Sequence, residues 1–548
     1  MPVEHHSIGA GSCPAAVSAG HPIAADIAWK VLCQGGNMVD AGVAAVLALT
    51  VVHSEQVQLG GILPALVKPA DSGYVFAIEG VGRWPKATAP EVLHRDHRGR
   101  IPRGILRTVT PALPDACFTA LDRFGTMPFG DLAKPAQALA SDGFEAHEDL
   151  VAATATYERH YRTYPENTSI WLPNDRPVQP AERFRQPKLG ATLQRLIDAE
   201  ERGGAQAART LFYEGSLAQE MLAHVHIEGG WLSADDMAGH TTPIVSAVSG
   251  KAFGATIYTP DTWCQGPTLI QCLQIAEALG IQDQAPEDWW HLILETIKLG
   301  FADRDKYFGD PYFVDVPLER LLSETHAKEL ANTVGPTARS RGDDIRTGAP
   351  PLDTSVVSIV DFDGGVFVAT PSDMSHDSPA VPGLGFVMST RGGQSQVSSE
   401  HPACLAPGKR PRASASPFLL IDDDGRTVAG GGPGADLAIQ ASVAILTQHL
   451  GQNIPLDQAL SAPRAYTLEP PGSSAPHLTF PGKVRAEPDL PNDICDGLSK
   501  RGHLVSKSDS GRAVTPSICA IELDAQNGVV RAHGDPRRLS GQKTGPKP

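Results

Sequence analysis

The chain has 548 residues, 41% of them hydrophobic and 20% charged, a composition typical of a globular protein that buries a large core. Its length exceeds that of a typical single domain. The formal net charge of −16 argues against nucleic acid or an anionic membrane surface as a partner.

Targeting signals and cysteine usage favour a cytoplasmic protein. The first residues, MPVEHH, have neither a basic stretch nor a continuous apolar run, so no standard signal peptide is predicted. The longest apolar run, residues 41–52, is too short to cross a bilayer and suits a buried helix. Eight scattered cysteines without a CxxC pair favour reduced thiols over a disulfide framework or a zinc site. Export is also compatible with these features.

The first two thirds of the chain alternate helices and strands before helices dominate. Apolar spacing predicts helices over residues 23–34 and 39–52, separated by a Gly-Gly-Asn stop, and strands over 65–68 and 74–79. From about 115 to 330 the pattern is mainly helical. Residues 332–353 are rich in proline, glycine and charge, which predicts an exposed, mobile linker.

Beyond the linker the pattern changes to strands and hairpins. A β-branched run opens at Thr354, turns at the Asp-Phe-Asp-Gly-Gly segment 361–365, and returns over 366–370. A glycine cluster at 430–434 precedes a helix predicted over 436–451. The last residues, 541–548, are predicted to be a disordered tail.

Thr354 carries a hydroxyl at the first residue of a predicted buried strand. If the peptide bond before it is cut, this residue holds both a nucleophilic oxygen and a free α-amine that accepts the hydroxyl proton. Threonine is also common at ordinary strand starts, so the pattern alone leaves both interpretations open.

Ten short motifs follow one another along the chain. They are residues 34–41 (QGGNMVDA), 59–61 (LGG), 124–128 (FGTMP), 140–144 (ASDGF), 212–215 (FYEG), 302–311 (ADRDKYFGDP), 408–411 (GKRP), 432–434 (GPG), 462–464 (APR) and 535–538 (DPRR). In this order the set resembles the γ-glutamyltransferase (γ-glutamyltranspeptidase) family of the N-terminal nucleophile hydrolase superfamily.

The resemblance implies a fold and a maturation step. The fold expected is α+β, a four-layer αββα sandwich with helices outside two antiparallel sheets. The precursor is expected to cut itself before Thr354. Residues 1–353 would then form a large piece that ends in the linker 332–353, and residues 354–548 a small one. Together they would make one compact unit.

The resemblance also implies a catalytic set. Thr354 matches the nucleophile, and Ser372 stands where the family has a second threonine that assists cleavage. Gly434 and Ala435 match the two backbone donors of the oxyanion hole, although a glycine-rich turn before a helix also serves as a plain cap. No cofactor and no metal are expected.

The glutamyl-binding positions of the family differ in this chain. Segment 388–394 lacks the family's acids and carries Arg391, and Ser414 remains of a serine pair. Val81 replaces the arginine that grips the glutamyl carboxylate, with Arg83 two residues later. Arg83, Arg391 and Ser414 are therefore predicted to bind substrate. They favour an acyl group with a carboxylate but without an α-ammonium, although each arginine is also compatible with a structural role.

The resulting prediction is a γ-glutamyltransferase or glutathione hydrolase-like enzyme that passes an acyl group from Thr354 to water or an amine. An amidase or acylase for a carboxylate-bearing amide, similar to glutaryl acylases, is the alternative. An unprocessed binding or scaffold protein is the hypothesis from another class. The expected partner is a small-molecule amide or γ-glutamyl substrate, with no nucleic acid and no membrane. The two pieces are expected to stay associated, and self-assembly is left open.

Overall fold

The computed structural model describes residues 13–340, 354–508 and 516–548. The strands, numbered in chain order, are β1 (Ala15–Ala19), β2 (Leu63–Lys68), β3 (Phe76–Gly80), β4 (Phe144–Glu145), β5 (Arg183–Phe184), β6 (Ile244–Ser246), β7 (Val248–Ala252), β8 (Ala255–Thr259), β9 (Val357–Val360), β10 (Val366–Ala369), β11 (Phe418–Asp422), β12 (Thr427–Gly431), β13 (Ala465–Thr467), β14 (Lys483–Ala486), β15 (Leu504–Lys507), β16 (Cys519–Asp524), β17 (Val529–Gly534) and β18 (Gly541–Gly545).

The helices surround these strands. They are α1 (Pro22–Cys33), α2 (Met38–Val52), α3 (Pro90–His97), α4 (Leu113–Phe124), α5 (Phe129–Asp142), α6 (Glu148–Thr156), α7 (Glu158–Tyr161), α8 (Pro165–Trp171), α9 (Pro187–Tyr213), α10 (Ser216–Ile227), α11 (Ala234–Ala238), α12 (Gly266–Ala278), α13 (Pro286–Tyr307), α14 (Leu318–Leu321), α15 (Glu324–Ala331), α16 (Asp436–Leu446), α17 (Leu456–Ser461) and α18 (Asn492–Lys500). In the described ranges, none of them has the length and apolarity needed to cross a membrane.

Two large sheets form the centre of the molecule. The seven-stranded sheet has the order β18-β1-β9-β10-β2-β3-β6, and the six-stranded sheet has the order β17-β16-β12-β11-β8-β7. Neighbouring strands within both sheets pair antiparallel. Strands β9 and β10, which follow the predicted nucleophile, therefore lie inside the seven-stranded sheet.

Three apolar clusters fill the spaces between four layers of helices and sheets. Leu66, Val368, Ala429 and Ile521 belong to a cluster that joins the facing sides of the two sheets. A second cluster packs α1, α2, α5 and α9 on the seven-stranded sheet. A third packs α12, α13 and α16 on the six-stranded sheet. The order helix, sheet, sheet, helix confirms the predicted α+β sandwich.

The predicted tail differs from the structure, and the predicted linker lies mostly outside the described residues. The predicted disordered tail is wrong in part, because residues 541–545 form β18 and pair with β1. Its polar sequence gave no strand signal, but the edge of β1 offers backbone groups to pair with. The structure describes the predicted linker only as far as Ser340. Within that part, the Ala338 N–H donates to the Arg501 carbonyl oxygen at 2.7 Å. The remainder, 341–353, lies outside the described residues.

One buried carboxylate joins two of the sequence motifs. Asp40, in the first turn of α2, is fully buried and accepts hydrogen bonds from the N–H groups of Asn37 (2.9 Å), Thr126 (2.9 Å) and Met127 (3.2 Å). Asn37 caps the same helix in return, which completes a capping box. The acid in the first motif is therefore required to satisfy the backbone of the third.

We predict that Asp40→Ala destabilises the protein. The change leaves buried N–H groups without an acceptor, each costing about 1–3 kcal/mol, so the thermal midpoint should fall by at least about 3 °C. Asp26→Ala is the control, since Asp26 forms a half-exposed pair with Lys543 at 2.7 Å and such pairs contribute little. Equal shifts for the two variants in a calorimetric scan would contradict the prediction.

Candidate active site

Thr354 lies three residues before β9, not in the strand as the sequence predicted. Its side chain is buried, and its backbone N–H points to the Gln56 carbonyl oxygen at 3.4 Å. Its φ is 90°, an unusual value for a β-branched residue. The predicted nucleophile thus occupies a strained and enclosed position beside the end of α2.

Ser372 is the nearest side-chain partner of Thr354 given by the structure. The two Oγ atoms lie 2.8 Å apart, within hydrogen-bond distance, and both residues are buried. Ser372 follows β10 and pairs with Ile62 through backbone hydrogen bonds of 3.1 Å in both directions. A side chain at Gly61 would meet the Ser372 carbonyl oxygen at 2.2 Å, which explains why glycine stands in this motif.

Arg391 lies on the other side of Ser372. Its Nη2 donates to Ser372 Oγ at 2.6 Å and forms an ion pair with Asp373 at 3.1 Å. Asp373 also accepts from Ser389 Oγ at 2.6 Å and from Thr390 Oγ1 at 3.4 Å. Both charged groups are almost fully buried. Arg391 is therefore bound to the nucleophile's partner, whereas the sequence predicted that it binds substrate, and that predicted role stays a prediction.

Ser414 is fixed by two glutamines. Gln394, in the same short helical turn as Arg391 (Arg391–Gln394), donates through Nε2 to Ser414 Oγ and accepts from its N–H, both at 2.8 Å. Gln265 donates to the Ser414 carbonyl oxygen at 2.6 Å and to the Ala435 carbonyl oxygen at 3.1 Å. These contacts link the serine to the turn before α16.

Gly434 and Ala435 form that turn and both have positive φ, 135° and 49°. Glycine adopts such values without strain, whereas alanine does not. The turn is joined to the nucleophile by a continuous set of contacts. It runs from Ala435 through Gln265, Ser414 and the turn Arg391–Gln394 to Ser372. The structure therefore brings together all but one of the predicted site residues.

Arg83 is the exception. Its guanidinium pairs with Asp310 at 3.5 Å, donates to the Gly408 carbonyl oxygen at 3.3 Å and is about one third exposed. Asp310 also binds Arg410, and burial together with this second arginine lowers the pKa of Arg83. The predicted substrate role of Arg83 stays a prediction. Its neighbour Trp84 does reach the site region, donating from its indole to Ser395 Oγ at 2.9 Å.

Two groups at the site were missed by the sequence argument. Asp373 holds Arg391, and the Gln56 carbonyl oxygen accepts from the N–H groups of both Thr354 and Asp373. A carboxylate directly after Ser372 was visible in the sequence, but nothing in the sequence indicated that it pairs with Arg391, eighteen residues later. Every residue has a backbone carbonyl, so the sequence does not mark the one that accepts these hydrogen bonds.

An apolar cavity opens beside the turn. It has a volume of about 120 Å³ and is lined by Ala435 and Ser474 together with apolar side chains, among them Leu437, Leu468 and Phe480. Ser474 Oγ accepts from Gln394 Nε2 at 3.2 Å, so this cavity adjoins the contacts that lead to the nucleophile. The arrangement combines a buried hydroxyl pair, a cation beside it, a turn preceding a helix, and an apolar recess.

The chain is similar to known proteins over most of its length. The family model for gamma-glutamyltranspeptidase matches residues 24–544. The chain is 28% identical to a glutathione hydrolase-like YwrD proenzyme of Bacillus subtilis, over 94% of this chain and 96% of the relative. It is 27% identical to an oxamate amidohydrolase proenzyme of Klebsiella pneumoniae, over 84% and 87%.

The fold matches a crystal structure of cephalosporin acylase from Bacillus halodurans with a TM-score of 0.87. That match is 24% identical and covers 99% of this chain and 97% of the acylase chain. Since the family model spans nearly all of the sequence, the chain belongs to the gamma-glutamyltranspeptidase family of N-terminal nucleophile hydrolases.

Proposed function

We propose that Thr354 is the nucleophile both for self-cleavage and for the attack on an amide substrate. The observation that carries this proposal is the buried contact of 2.8 Å between its Oγ1 and Ser372 Oγ. The positive φ of Thr354 supports cleavage at its N-terminal side, because strain of about 1–3 kcal/mol is relieved once the preceding peptide bond is gone.

Self-cleavage cannot use the α-amine of Thr354, since that nitrogen is still part of a peptide bond. In our proposal Thr354 Oγ1 attacks the carbonyl carbon of residue 353, the bond from that carbon to the Thr354 nitrogen breaks, and the nitrogen takes up a proton. Water then hydrolyses the resulting ester and restores the hydroxyl. Ser372 relays the proton from Thr354, and Arg391, which donates to Ser372 Oγ, stabilises the negative charge that develops there.

After cleavage the free α-amine of Thr354 becomes the base. It takes the hydroxyl proton as Oγ1 attacks the substrate amide, and it returns the proton to the leaving amine. The N–H groups of Gly434 and Ala435 are proposed to bind the oxyanion at the start of α16, where the helix terminus favours negative charge. Water or a second amine then removes the acyl group.

The contacts around Asp373 bear on which acyl group is accepted. This carboxylate is engaged by Arg391, Ser389 and Thr390, so an incoming α-ammonium would have to break a buried ion pair. We infer that the preferred acyl group lacks an α-amine. The oxamate amidohydrolase relative supports this choice, because oxamate is an amide that bears a carboxylate and no amine. The glutathione hydrolase-like relative supports the γ-glutamyl alternative.

We also propose a reducing, cytoplasmic setting. All eight cysteines lie in the described ranges and are free thiols, five of them buried. This arrangement supports the expectation drawn from the sequence.

We predict that the wild-type protein consists of two pieces whose masses correspond to residues 1–353 and 354–548. Thr354→Ala should yield one intact chain, because the attacking hydroxyl is lost. Thr354→Ser is the matched control and should still be cut, since serine keeps the hydroxyl. Intact-mass spectrometry of the three proteins checks this. A single chain in the wild type, or cleavage in Thr354→Ala, would refute the proposed nucleophile.

A second prediction concerns Arg391. Arg391→Met should slow cleavage at least about tenfold, since it removes the donor to Ser372, whereas Arg391→Lys should retain part of the rate. The rate is followed by the disappearance of precursor on a denaturing gel. The double variant Arg391→Met/Asp373→Asn removes both charges. It distinguishes donation to Ser372 from mere neutralisation of the Asp373 charge. If its cleavage returns to the wild-type rate, Arg391 only neutralises Asp373 and the proposed role is wrong.

A third prediction separates the two substrate classes. Glutaryl-p-nitroanilide and γ-glutamyl-p-nitroanilide differ only by the α-amino group. The glutaryl compound should have a kcat/KM at least about tenfold higher, since a buried α-ammonium without an anion costs more than the 1.4 kcal/mol that corresponds to tenfold. Release of p-nitroaniline from the processed enzyme measures both. Faster turnover of the γ-glutamyl compound would favour the glutathione hydrolase alternative.

A further inference from the structure

A group of metal-binding side chains lies at the junction of α2 and α6, beside the nucleophile segment. His53 caps the C-terminus of α2, Glu55 follows in the next turn, and His147 caps the N-terminus of α6. One ligand atom from each of the three side chains lies within 4.8 Å of the other two. The three residues come from two segments that are about ninety positions apart in sequence.

Two of the ligand groups are buried without a partner among the described residues. His53 Nε2 and Glu55 Oε2 are buried, and neither atom has a hydrogen-bond partner in the described ranges. The two residues are 4% and 2% exposed. A buried polar atom left unpaired costs about 1–3 kcal/mol, so two of them at one point call for a bound species.

The other ring nitrogens of the histidines are already held. His53 Nδ1 lies 3.1 Å from Ser355 Oγ, and His147 Nε2 lies 2.7 Å from the Val52 carbonyl oxygen. Metal-binding histidines usually have one ring nitrogen fixed in this way while the other binds the ion. The other nitrogen of His147, Nδ1, accepts from the Leu150 N–H at 3.4 Å, so an ion would displace this long hydrogen bond.

Further side chains of metal-binding types lie near the group. The His21 ring centre lies 5.3 Å from that of His53 and 5.0 Å from that of His147. Asp149 Oδ2 is also buried without a partner in the described part of the chain. Glu55 and Asp149 line a cavity of about 60 Å³. Arg538, which also lines this cavity, donates to Gln56 Oε1 at 3.1 Å.

We propose that His53, Glu55 and His147 bind one divalent transition-metal ion, with Zn²⁺ the best match. Two imidazoles and a carboxylate are a donor set that zinc accepts, and a fourth position is left for a further side chain or water. Ligand atoms around tetrahedral zinc lie about 3.4 Å apart, so the group has to contract by about 1 Å or a little more. The ion would tie α2 and α6 to Ser355, the residue after the nucleophile.

A second histidine cluster provides a matched control. His291, Glu295 and His503 are also close enough to share an ion. There, however, His291 Nδ1 contacts His503 Nε2 at 2.9 Å and Glu295 pairs with Lys298 at 2.7 Å. Both ring nitrogens of His291 and one Glu295 oxygen already have protein partners, which leaves His503 Nδ1 as the unpaired ring nitrogen of this cluster in the described ranges. This cluster is therefore not expected to take up metal.

The test uses the full-length protein without an affinity tag. It is freed of metal by chelation, then titrated with Co²⁺ for visible absorption and with Zn²⁺ for calorimetry and thermal shift. We expect one equivalent to bind, with the intense absorption of tetrahedral cobalt and a raised thermal midpoint. Glu55→Gln, which keeps the shape of the side chain, and His53→Ala should each weaken binding at least about tenfold. His503→Ala should bind as the wild type does.

Two results would overturn the proposal. One is the absence of stoichiometric binding to the wild-type protein. The other is unchanged affinity in Glu55→Gln, which would place the ion elsewhere. If His53→Ala fails to fold, Glu55→Gln alone decides the matter. These readouts do not depend on catalysis, so they stand whether or not Thr354 proves to be the nucleophile.

Discussion

The buried ion pair between Arg391 and Asp373 sets the geometry on which the rest of the site depends. Two charges removed from water are stable only when their remaining hydrogen-bonding capacity is satisfied. Ser389 and Thr390 supply bonds to the carboxylate, and Ser372 accepts from the guanidinium. Ser372 is thereby oriented toward Thr354. The turn Arg391–Gln394 thus positions the partner of the nucleophile.

The sandwich supplies the rigid support for this arrangement. Strands β9 and β10 have neighbours on both sides in the seven-stranded sheet, so the segments that carry Thr354 and Ser372 begin and end in fixed positions. Asp361, in the hairpin turn between them, accepts from the Met38 N–H at the start of α2 at 3.0 Å. The facing sheet is close enough that a side chain at Gly431 would meet the Thr370 methyl group at 2.8 Å. The turn at Gly434 comes three residues after Gly431 in the chain.

Sequence patterns predicted the parts of this molecule that depend on local order. The hairpin at 361–365 follows from strand periodicity and turn chemistry. The αββα layers and the pairing of Thr354 with Ser372 were implied by the resemblance to the family. The partner of Arg391 could not be predicted in the same way. Arg391 pairs with Asp373, eighteen residues away, and no pattern in the sequence indicated that ion pair. The group proposed to bind metal was not predicted either, since His147 precedes α6, about ninety positions after His53.

Backbone strain marks the same places as side-chain chemistry. Among the described residues with positive φ that are not glycine, Thr354 has a φ of 90° and Asp373 of 142°, both outside the usual left-handed well. Ala435, with a φ of 49° and a ψ of −126°, is also outside it.

Each of these conformations costs about 1–3 kcal/mol and persists only where the surrounding structure fixes it. Here the fixing contacts are the Gln56 carbonyl oxygen for Thr354 and Asp373, and Gln265 for Ala435. The strain therefore falls on the predicted nucleophile, on the anion that orients its partner, and on the predicted oxyanion turn. A scaffold without this chemistry would gain stability by relaxing all three, so their coincidence is an argument for catalysis that does not rest on any motif.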